Sequence, residues 1–281
     1  MLEPIKRLNA IQIISETNTK GSSPLFVIAE DDQEYYVKTS QYPPPKMELI
    51  NEVLCVYFLK CWNIITPDIA LIKIENEVLE AYIKQGVPLS LRYKSIDFEN
   101  EIFFGSKRIK PVVEYDRHFK HIINKKDFKL LKQPLDLIKI GVFDNWVANK
   151  DRKPENPNLL FSGSNKINVH PIDHTAAWAH ISHPKEVIPS RLFMEEKFKI
   201  LNAPLIKSIA KFVDDNVMKE IQGDIEYSIQ KTLENLDFIF EQVPNEWGFS
   251  KKGKENIKSI LFDKERNQQI TKSYLPYVRK S

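Results

Sequence analysis

Glycine is scarce in this chain. Its 281 residues include only 8 glycines, whereas average usage of about 7% would give roughly 20. Neither GxGxxG nor GxxxxGK[ST] is completed anywhere in the sequence. These patterns let the backbone approach phosphate closely in dinucleotide-binding and Walker-type sites. The sequence therefore excludes both glycine fingerprints.

Cysteines and long apolar runs are also few. The two cysteines, Cys55 and Cys61, stand six positions apart in an apolar stretch, a spacing that fits neither a CxxC site nor a disulfide framework. No run approaches the roughly 18 to 20 apolar residues of a membrane span. The N-terminal segment carries Glu3 and lacks the apolar core of a secretory signal. We therefore expect a cytoplasmic protein with buried thiols and no membrane partner.

The formal net charge of +3 is unevenly distributed. Residues 251–281 contain nine Lys or Arg and three Asp or Glu, a local charge of +6, which leaves −3 for residues 1–250. A basic segment of this kind is more often a solvated helix surface than a contact site for nucleic acid. Direct nucleic-acid binding is therefore not expected.

The sequence pattern changes along the chain from β-like runs to helical patterns. Up to about residue 90, the short β-like runs AIQII, PLFVIAE, EYYVKTS, IALIKI and EVLEAYI surround one helical pattern from about Met47 to Trp62. Beyond about residue 128, helical patterns dominate, interrupted by the β-like runs NLLF and INVHPID. The sequence predicts an α+β protein with a small β-rich lobe containing one helix, residues 1–88, and a larger, mainly helical lobe, residues 89–281. Ligands usually bind in the cleft between such lobes.

A loop just before NLLF holds the residues with the clearest chemistry. Asp151 is followed five positions later by Asn156, and Asp173 follows the second β-like run. Phosphoryl transfer uses such a set, because one carboxylate orients or deprotonates the acceptor hydroxyl while an Asn oxygen and a second carboxylate hold Mg²⁺. Asn158 directly precedes the strand, and either Asn could be the metal ligand. The alternative is an ordinary turn, where Asp, Asn and Pro also crowd together.

The first lobe supplies a cation for phosphate and a carboxylate to hold it. Lys38 lies at the end of the strand EYYVKT and can reach phosphates as a point charge. Glu52 lies beside the inward apolar positions of the following helix, and a carboxylate there needs a cation. We expect Glu52 to pair with Lys38, with Glu48 as the alternative acid.

The turn before the first hairpin is a candidate phosphate contact. It reads Lys20-Gly21-Ser22-Ser23-Pro24. Backbone N–H groups and two hydroxyls can meet a phosphate in such a turn. A plain entry into a hairpin explains the same residues equally well. Gly21, Ser22 and Ser23 are therefore candidate nucleotide-binding residues.

Taken together, these segments resemble those of a known family. The segments that carry the resemblance are 21–24, 36–38, 51–52, 104–107, 143–152 and 171–174, and they look like those of the short HipA-like kinases of bacteria. These kinases are relatives of the HipA toxin kinase and distant relatives of protein kinases and phosphoinositide kinases. The resemblance covers roughly residues 15–245, and residues 143–178 are its most specific part.

The resemblance implies a bilobal protein-kinase-like fold that transfers the ATP γ-phosphate to a serine or threonine hydroxyl with Mg²⁺. It implies Asp151 as base or orienter. Arg152, next to Asp151, is a candidate for orienting it or for stabilising the transferring phosphate, with a salt bridge to Glu155 as the alternative. The remaining implied roles are metal ligand for Asn156 or Asn158 and for Asp173, phosphate ligand for Lys38, and anchor of that lysine for Glu52. The HipA toxin is switched off by phosphorylation of a phosphate-loop serine, which makes Ser22 and Ser23 candidate autophosphorylation sites.

The expected partner is a protein substrate with a serine or threonine acceptor. An antitoxin-like partner is also conceivable, although the chain is shorter than the HipA toxin. Protein kinases place Phe where this sequence has His174, so a switch of that aromatic residue is not expected.

Three other interpretations stay open. The chain could be a catalytically inactive kinase-like module that binds nucleotide or a partner, or it could phosphorylate a small molecule or lipid. It could also be a metalloprotein, because His170, His174, His180 and His183 fall within 14 residues. Their spacing matches no closed structural zinc site.

Overall fold

The N-terminal part of the protein is a closed five-stranded β-barrel. The computed structural model describes residues 2–17, 23–40, 46–86, 89–110, 112–113, 125–180 and 199–274. The barrel strands, in the order β1-β2-β3-β5-β4, are β1 Lys6–Glu16, β2 Leu25–Ala29, β3 Glu34–Lys38, β4 Ile69–Lys73 and β5 Phe103–Lys107. Neighbours pair antiparallel except β1 and β4, which are parallel. The predicted β-rich N-terminal part is therefore confirmed.

Alternation along β3 directs Lys38 to the outside of the barrel. Tyr35 and Val37 are buried inside it, and residues of the opposite parity, including Lys38, point outward. Lys38 pairs with Phe104 across the strands, and Phe104 pairs with Leu71. Both Phe104 and Leu71 belong to the core that also contains the first helix. Lys38 therefore lies on the face of the barrel that this helix covers.

The first helix, α1, spans Lys46–Cys61, close to the predicted 47–62. From residue 47 to residue 62, only Glu48 and Lys60 are more than slightly exposed. The helix lies between the barrel and the C-terminal helices, with Phe58 in edge contact with Trp146 at a centroid distance of 5.7 Å. A helix that is buried all round is held by packing on every side. This packing fixes the positions of the side chains on α1.

Two sequence predictions for the N-terminal part were wrong. The run Glu77–Ile83 is not a strand but lies in helix α2, Asn76–Ile83, because Val78, Leu79 and Tyr82 pack on the barrel at helical spacing. Because α1 and α2 both lie within residues 1–88, the described residues of that part contain two helices and not the predicted one. A further short helix, α3, spans Leu91–Lys94. Strand β5 lies beyond the predicted boundary at residue 88, yet it pairs with β3 and β4. The sheet therefore includes residues that the sequence assigned to the second lobe.

The C-terminal part is mainly helical, as predicted. Its helices are α4 Lys125–Leu130, α5 Asp136–Trp146, α6 Ala177–His180, α7 Pro204–Ala210, α8 Asp215–Glu234, α9 Leu236–Glu241, α10 Lys251–Leu261 and α11 Lys264–Ser273. A small antiparallel sheet contains β6 Val112–Val113, β7 Leu159–Ser162 and β8 Asn168–Pro171. Within the described ranges, no helix has the length and apolar character required to span a membrane.

Gly141 in α5 permits close packing that a larger residue would disturb. A Cβ added there would lie 2.4 Å from Cδ2 of Leu201. We expect Gly141→Ala to lower the free energy of unfolding by about 1–3 kcal/mol, as overpacking does. Gly223→Ala is the matched control, because a Cβ at this helical position meets nothing within 4 Å. That change should raise stability by up to about 1 kcal/mol. Urea unfolding measures both, and a Gly141→Ala protein as stable as wild type would contradict the packing.

Candidate active site

The β7–β8 hairpin brings the loop containing Asp151 next to Asp173. Leu159 pairs with Pro171, and the backbone N–H of Ile172 donates to the carbonyl oxygen of Asn158 at 3.0 Å. Residues that flank the two strands therefore lie side by side. Asp173 has a φ of 57°, a left-handed conformation that Asp and Asn tolerate better than other non-glycine residues.

Lys38 joins the barrel, α1 and the end of β8. Its Nζ lies 2.7 Å from Oε1 of Glu52 and 3.1 Å from Oδ1 of Asp173. The sequence left open whether Glu52 or Glu48 pairs with Lys38. The structure shows that Glu52 does. Three chain segments that are distant in sequence meet at this one ammonium group.

Both members of the Lys38–Glu52 pair are held in their charged forms. Burial lowers the pKa of Lys38, but the charges of Glu52 and Asp173 outweigh burial and raise it above its ordinary value. Burial likewise raises the pKa of Glu52, whereas the charge of Lys38 lowers it, and the net result is a pKa below its ordinary value. The site therefore keeps a fixed cation beside two carboxylates.

Asp151 is oriented by amide groups from its own loop. Its Oδ2 accepts hydrogen bonds from Nδ2 of Asn156 and from Nδ2 of Asn158, each at 2.9 Å. Its backbone N–H donates to Oδ1 of Asn149 at 3.1 Å. One carboxylate oxygen is thus engaged, and Oδ1 is the atom placed to accept from a further donor. The two Asn residues make the same contact, so the structure brings both to Asp151 without separating their roles.

Arg152 does not point toward a reacting group. It is 1% exposed, and its Nε lies 2.8 Å from Oδ2 of Asp144. Its terminal nitrogens donate to the carbonyl oxygens of Pro157, Asn158 and Ile172. A guanidinium enclosed in this way cannot contact a transferring phosphate. Of the two roles predicted for Arg152, these contacts favour orientation of Asp151 through its loop over stabilisation of a transferring phosphate.

The sequence did not predict that two buried side chains, those of Glu101 and His174, support the site. Glu101, 3% exposed, accepts hydrogen bonds from the hydroxyls of Thr39 and Ser40, the residues directly after Lys38. Nothing in the sequence around Glu101 signals this role. The ring of His174 lies between Arg152 and Glu52. The sequence raised this residue only as a departure from protein kinases and as a zinc candidate.

The histidines do not form a metal site in the part of the chain that the structure describes. No group of three or more His, Cys, Asp or Glu side chains among those residues is arranged to hold a metal ion. His170 bonds instead to the hydroxyl of Ser162, with Nε2 and Oγ 2.8 Å apart. The side chain of His180 and all of His183 lie outside the described residues.

The candidate phosphate turn is only partly described. Gly21 and Ser22 lie outside the described residues. The carbonyl oxygen of Ser23 accepts from the hydroxyl of Tyr93 at 2.9 Å. The roles predicted for these three residues therefore stay predictions.

The donor set around Asp173 fits Mg²⁺. Its carboxylate is 38% exposed, unlike that of Glu52. Because Asn156 and Asn158 donate their amide nitrogens to Asp151, their carbonyl oxygens are the atoms suited to a cation. Carboxylate and carbonyl oxygens are the ligands that Mg²⁺ prefers in proteins.

Substitution of Arg152 tests its role in supporting the site. We expect Arg152→Met to lower the free energy of unfolding by about 3–5 kcal/mol, because Asp144 would be left buried without its cation. Lys150→Met, at an exposed position two residues away, is the control and should change stability by less than about 0.5 kcal/mol. Urea unfolding of both variants measures the difference. A loss below about 1 kcal/mol in Arg152→Met would contradict the assigned role.

The chain is similar to known proteins in its sequence family and in its fold. The model of a family described as HipA-like kinase matches residues 10–274. A search of curated proteins finds no significant match. Among solved structures, the crystal structure of the Helicobacter pylori proinflammatory kinase CtkA matches with a TM-score of 0.54 and 13% sequence identity, over 99% of each chain. At this identity the likeness establishes a similar fold. Because the family match spans most of the sequence, the chain belongs to the HipA-like kinase family.

Proposed function

We propose that this chain is an ATP- and Mg²⁺-dependent kinase that transfers the γ-phosphate to a serine or threonine hydroxyl of a protein. The observation that carries the proposal is the meeting of Lys38, Glu52 and Asp173 at one ammonium group. A lysine–glutamate pair beside a metal-binding aspartate is the arrangement by which kinases fix nucleotide phosphates. On this proposal the fold is bilobal, and the barrel covers the nucleotide.

Each residue of the site has a distinct task in the proposed reaction. Lys38 binds phosphate oxygens as a point charge, and Glu52 keeps it in place. Asp151 orients the acceptor hydroxyl and takes its proton through the carboxylate oxygen opposite the one held by Asn156 and Asn158. Positioning and charge neutralisation account for most of the rate, because the loose transition state requires little covalent chemistry from the protein.

Mg²⁺ would be held by Asp173 together with Asn156 or Asn158, and when bound it neutralises phosphate charge. Lys38 and Asp173 are 3.1 Å apart. The ammonium group of Lys38 therefore lies beside the carboxylate that would bear the metal. Lysine and metal ligand are thus placed to contact one polyphosphate together.

The alternative of an inactive binding module is less well supported. Such a module has no need for Asp151 to be oriented by two amide donors. A small-molecule or lipid acceptor uses the same phosphate chemistry. The identity of the acceptor is therefore a separate question, and a protein hydroxyl is our proposal.

The family suggests a regulatory setting for the activity. We propose a toxin-like, cytoplasmic role with autophosphorylation at Ser22 or Ser23, and an antitoxin-like protein as partner. Cys55 and Cys61 are both buried free thiols, which supports a reducing compartment. The proinflammatory property is that of the Helicobacter kinase and forms no part of this proposal.

Substitution of the two acids tests the activity. We expect Asp151→Ala and Asp173→Ala to lower transfer of labelled γ-phosphate from ATP into bacterial lysate proteins by about 10²–10⁴-fold while the fold survives. Chelation of Mg²⁺ should have the same effect on wild type. Glu155→Ala, an exposed neighbour on the same loop, is the control. Full transfer by either acid variant would end the proposal.

Phosphopeptide mapping tests autophosphorylation. After incubation of the wild-type protein with ATP and Mg²⁺, we expect phosphate on Ser22 or Ser23 and none in the Asp151→Ala protein. Single replacement of each serine by Ala identifies the acceptor. Absence of phosphate from both serines in an active preparation would exclude this form of regulation.

A further inference from the structure

We infer that His174 is a positioning residue that couples the loop containing Asp151 to the Lys38–Glu52 pair. The inference deepens the proposed function and rests on it. His174 follows Asp173 directly and is completely buried, with 0% exposure. Its ring has one nitrogen toward Arg152 and the other toward Glu52. A single side chain thus stands between the two halves of the site.

The hydrogen-bonding partners determine the tautomer of His174. Its Nε2 lies 2.9 Å from a terminal nitrogen of Arg152. A guanidinium has only donors, so Nε2 must be the acceptor. The ring proton is therefore on Nδ1, which faces Oε2 of Glu52 at 3.8 Å. The backbone N–H of His174 donates to the same Oε2 at 3.0 Å.

The contacts of His174 with Arg152 and with Glu52 lead to different parts of the site. Arg152 adjoins Asp151 and holds the carbonyl oxygens of Asn158 and Ile172. The other oxygen of Glu52 holds Lys38. Through His174, the position of the loop therefore depends on the same side chain that anchors the phosphate-binding lysine.

Space filling alone does not require a histidine here. The ring makes an edge contact with Phe143, at a centroid distance of 6.0 Å and an interplanar angle of 90°. Phenylalanine could preserve that contact, but it has no acceptor for Arg152. Glutamine has a side-chain oxygen that can accept in place of Nε2. The two substitutions separate shape from hydrogen bonding.

Steady-state kinetics of two variants tests the coupling. We expect His174→Phe to lower kcat by about 10²-fold in a folded protein, because Arg152 loses its acceptor and the loop of Asp151 shifts. KM for ATP should also rise, because residue 174 moves with that loop and its backbone N–H no longer meets Glu52, the anchor of Lys38. His174→Gln should recover most of both constants. His170→Gln, another buried histidine with a side-chain partner only on β7, is the matched control and should match wild type. Wild-type constants in His174→Phe, or equal losses in the Phe and Gln variants, would overturn the inference.

A second measurement uses the wild-type chain and needs no activity. Long-range ¹H–¹⁵N correlation spectra report which ring nitrogen of each of the six histidines carries the proton. His174 is assigned from spectra of variants in which the other histidines are replaced singly. We expect a bare Nε2 and a protonated Nδ1. A proton on Nε2 would overturn the inference even if His174→Phe fails to fold. Absence of transfer by wild type itself would instead contradict the proposed kinase activity and would not alter the tautomer that the spectra report.

Discussion

The buried ion pair between Lys38 and Glu52 is the interaction on which the rest of the site depends. A carboxylate that is 3% exposed is costly unless a cation and hydrogen bonds compensate for its lost hydration. Glu52 receives both, from Lys38 and from the backbone of His174. Because α1 is packed between the barrel and the C-terminal helices, Glu52 is held in position by the cores of both parts. The ion pair therefore connects the barrel to the helical part.

From this pair, polar contacts continue behind the site as a connected series. In order, its members are Asp173, Lys38, Glu52, His174, Arg152 and Asp144, and His174 contacts Glu52 through its backbone N–H and Arg152 through its ring. Positive and negative groups alternate around the histidine, so each buried charge has an opposite neighbour, which is the condition for burying charge. The loop containing Asp151 is thus held from its inner side, through Arg152. Asp151 on this loop and Asp173 after β8 are less enclosed than Arg152, which on the proposed function leaves both accessible to substrate and metal.

Sequence patterns predicted the residues that lie on regular elements better than the contacts that support them. The position of Lys38 at the end of a strand and the helical spacing in α1 predicted its pairing with Glu52, with Glu48 as the alternative acid. The burial of Arg152 was not predicted, because a turn sequence carries no signal that its arginine is enclosed. Glu101 was missed because an isolated acid between elements has no periodicity to reveal burial. The strand Phe103–Lys107 was not among the predicted β-like runs, and it completes the barrel by pairing with β3 and β4, which are distant from it in sequence.

Binding of a non-hydrolysable ATP analogue tests the central claim most directly, because it requires neither an acceptor nor turnover. Isothermal titration with and without Mg²⁺ should give Mg²⁺-dependent binding to wild type. In Lys38→Met, where Glu52 loses its cation and the phosphates lose their contact, affinity should fall at least about tenfold, equivalent to about 1.4 kcal/mol. Equal affinity of wild type and Lys38→Met, or binding to wild type that is indifferent to Mg²⁺, would contradict the assignment of this ion pair as the nucleotide anchor.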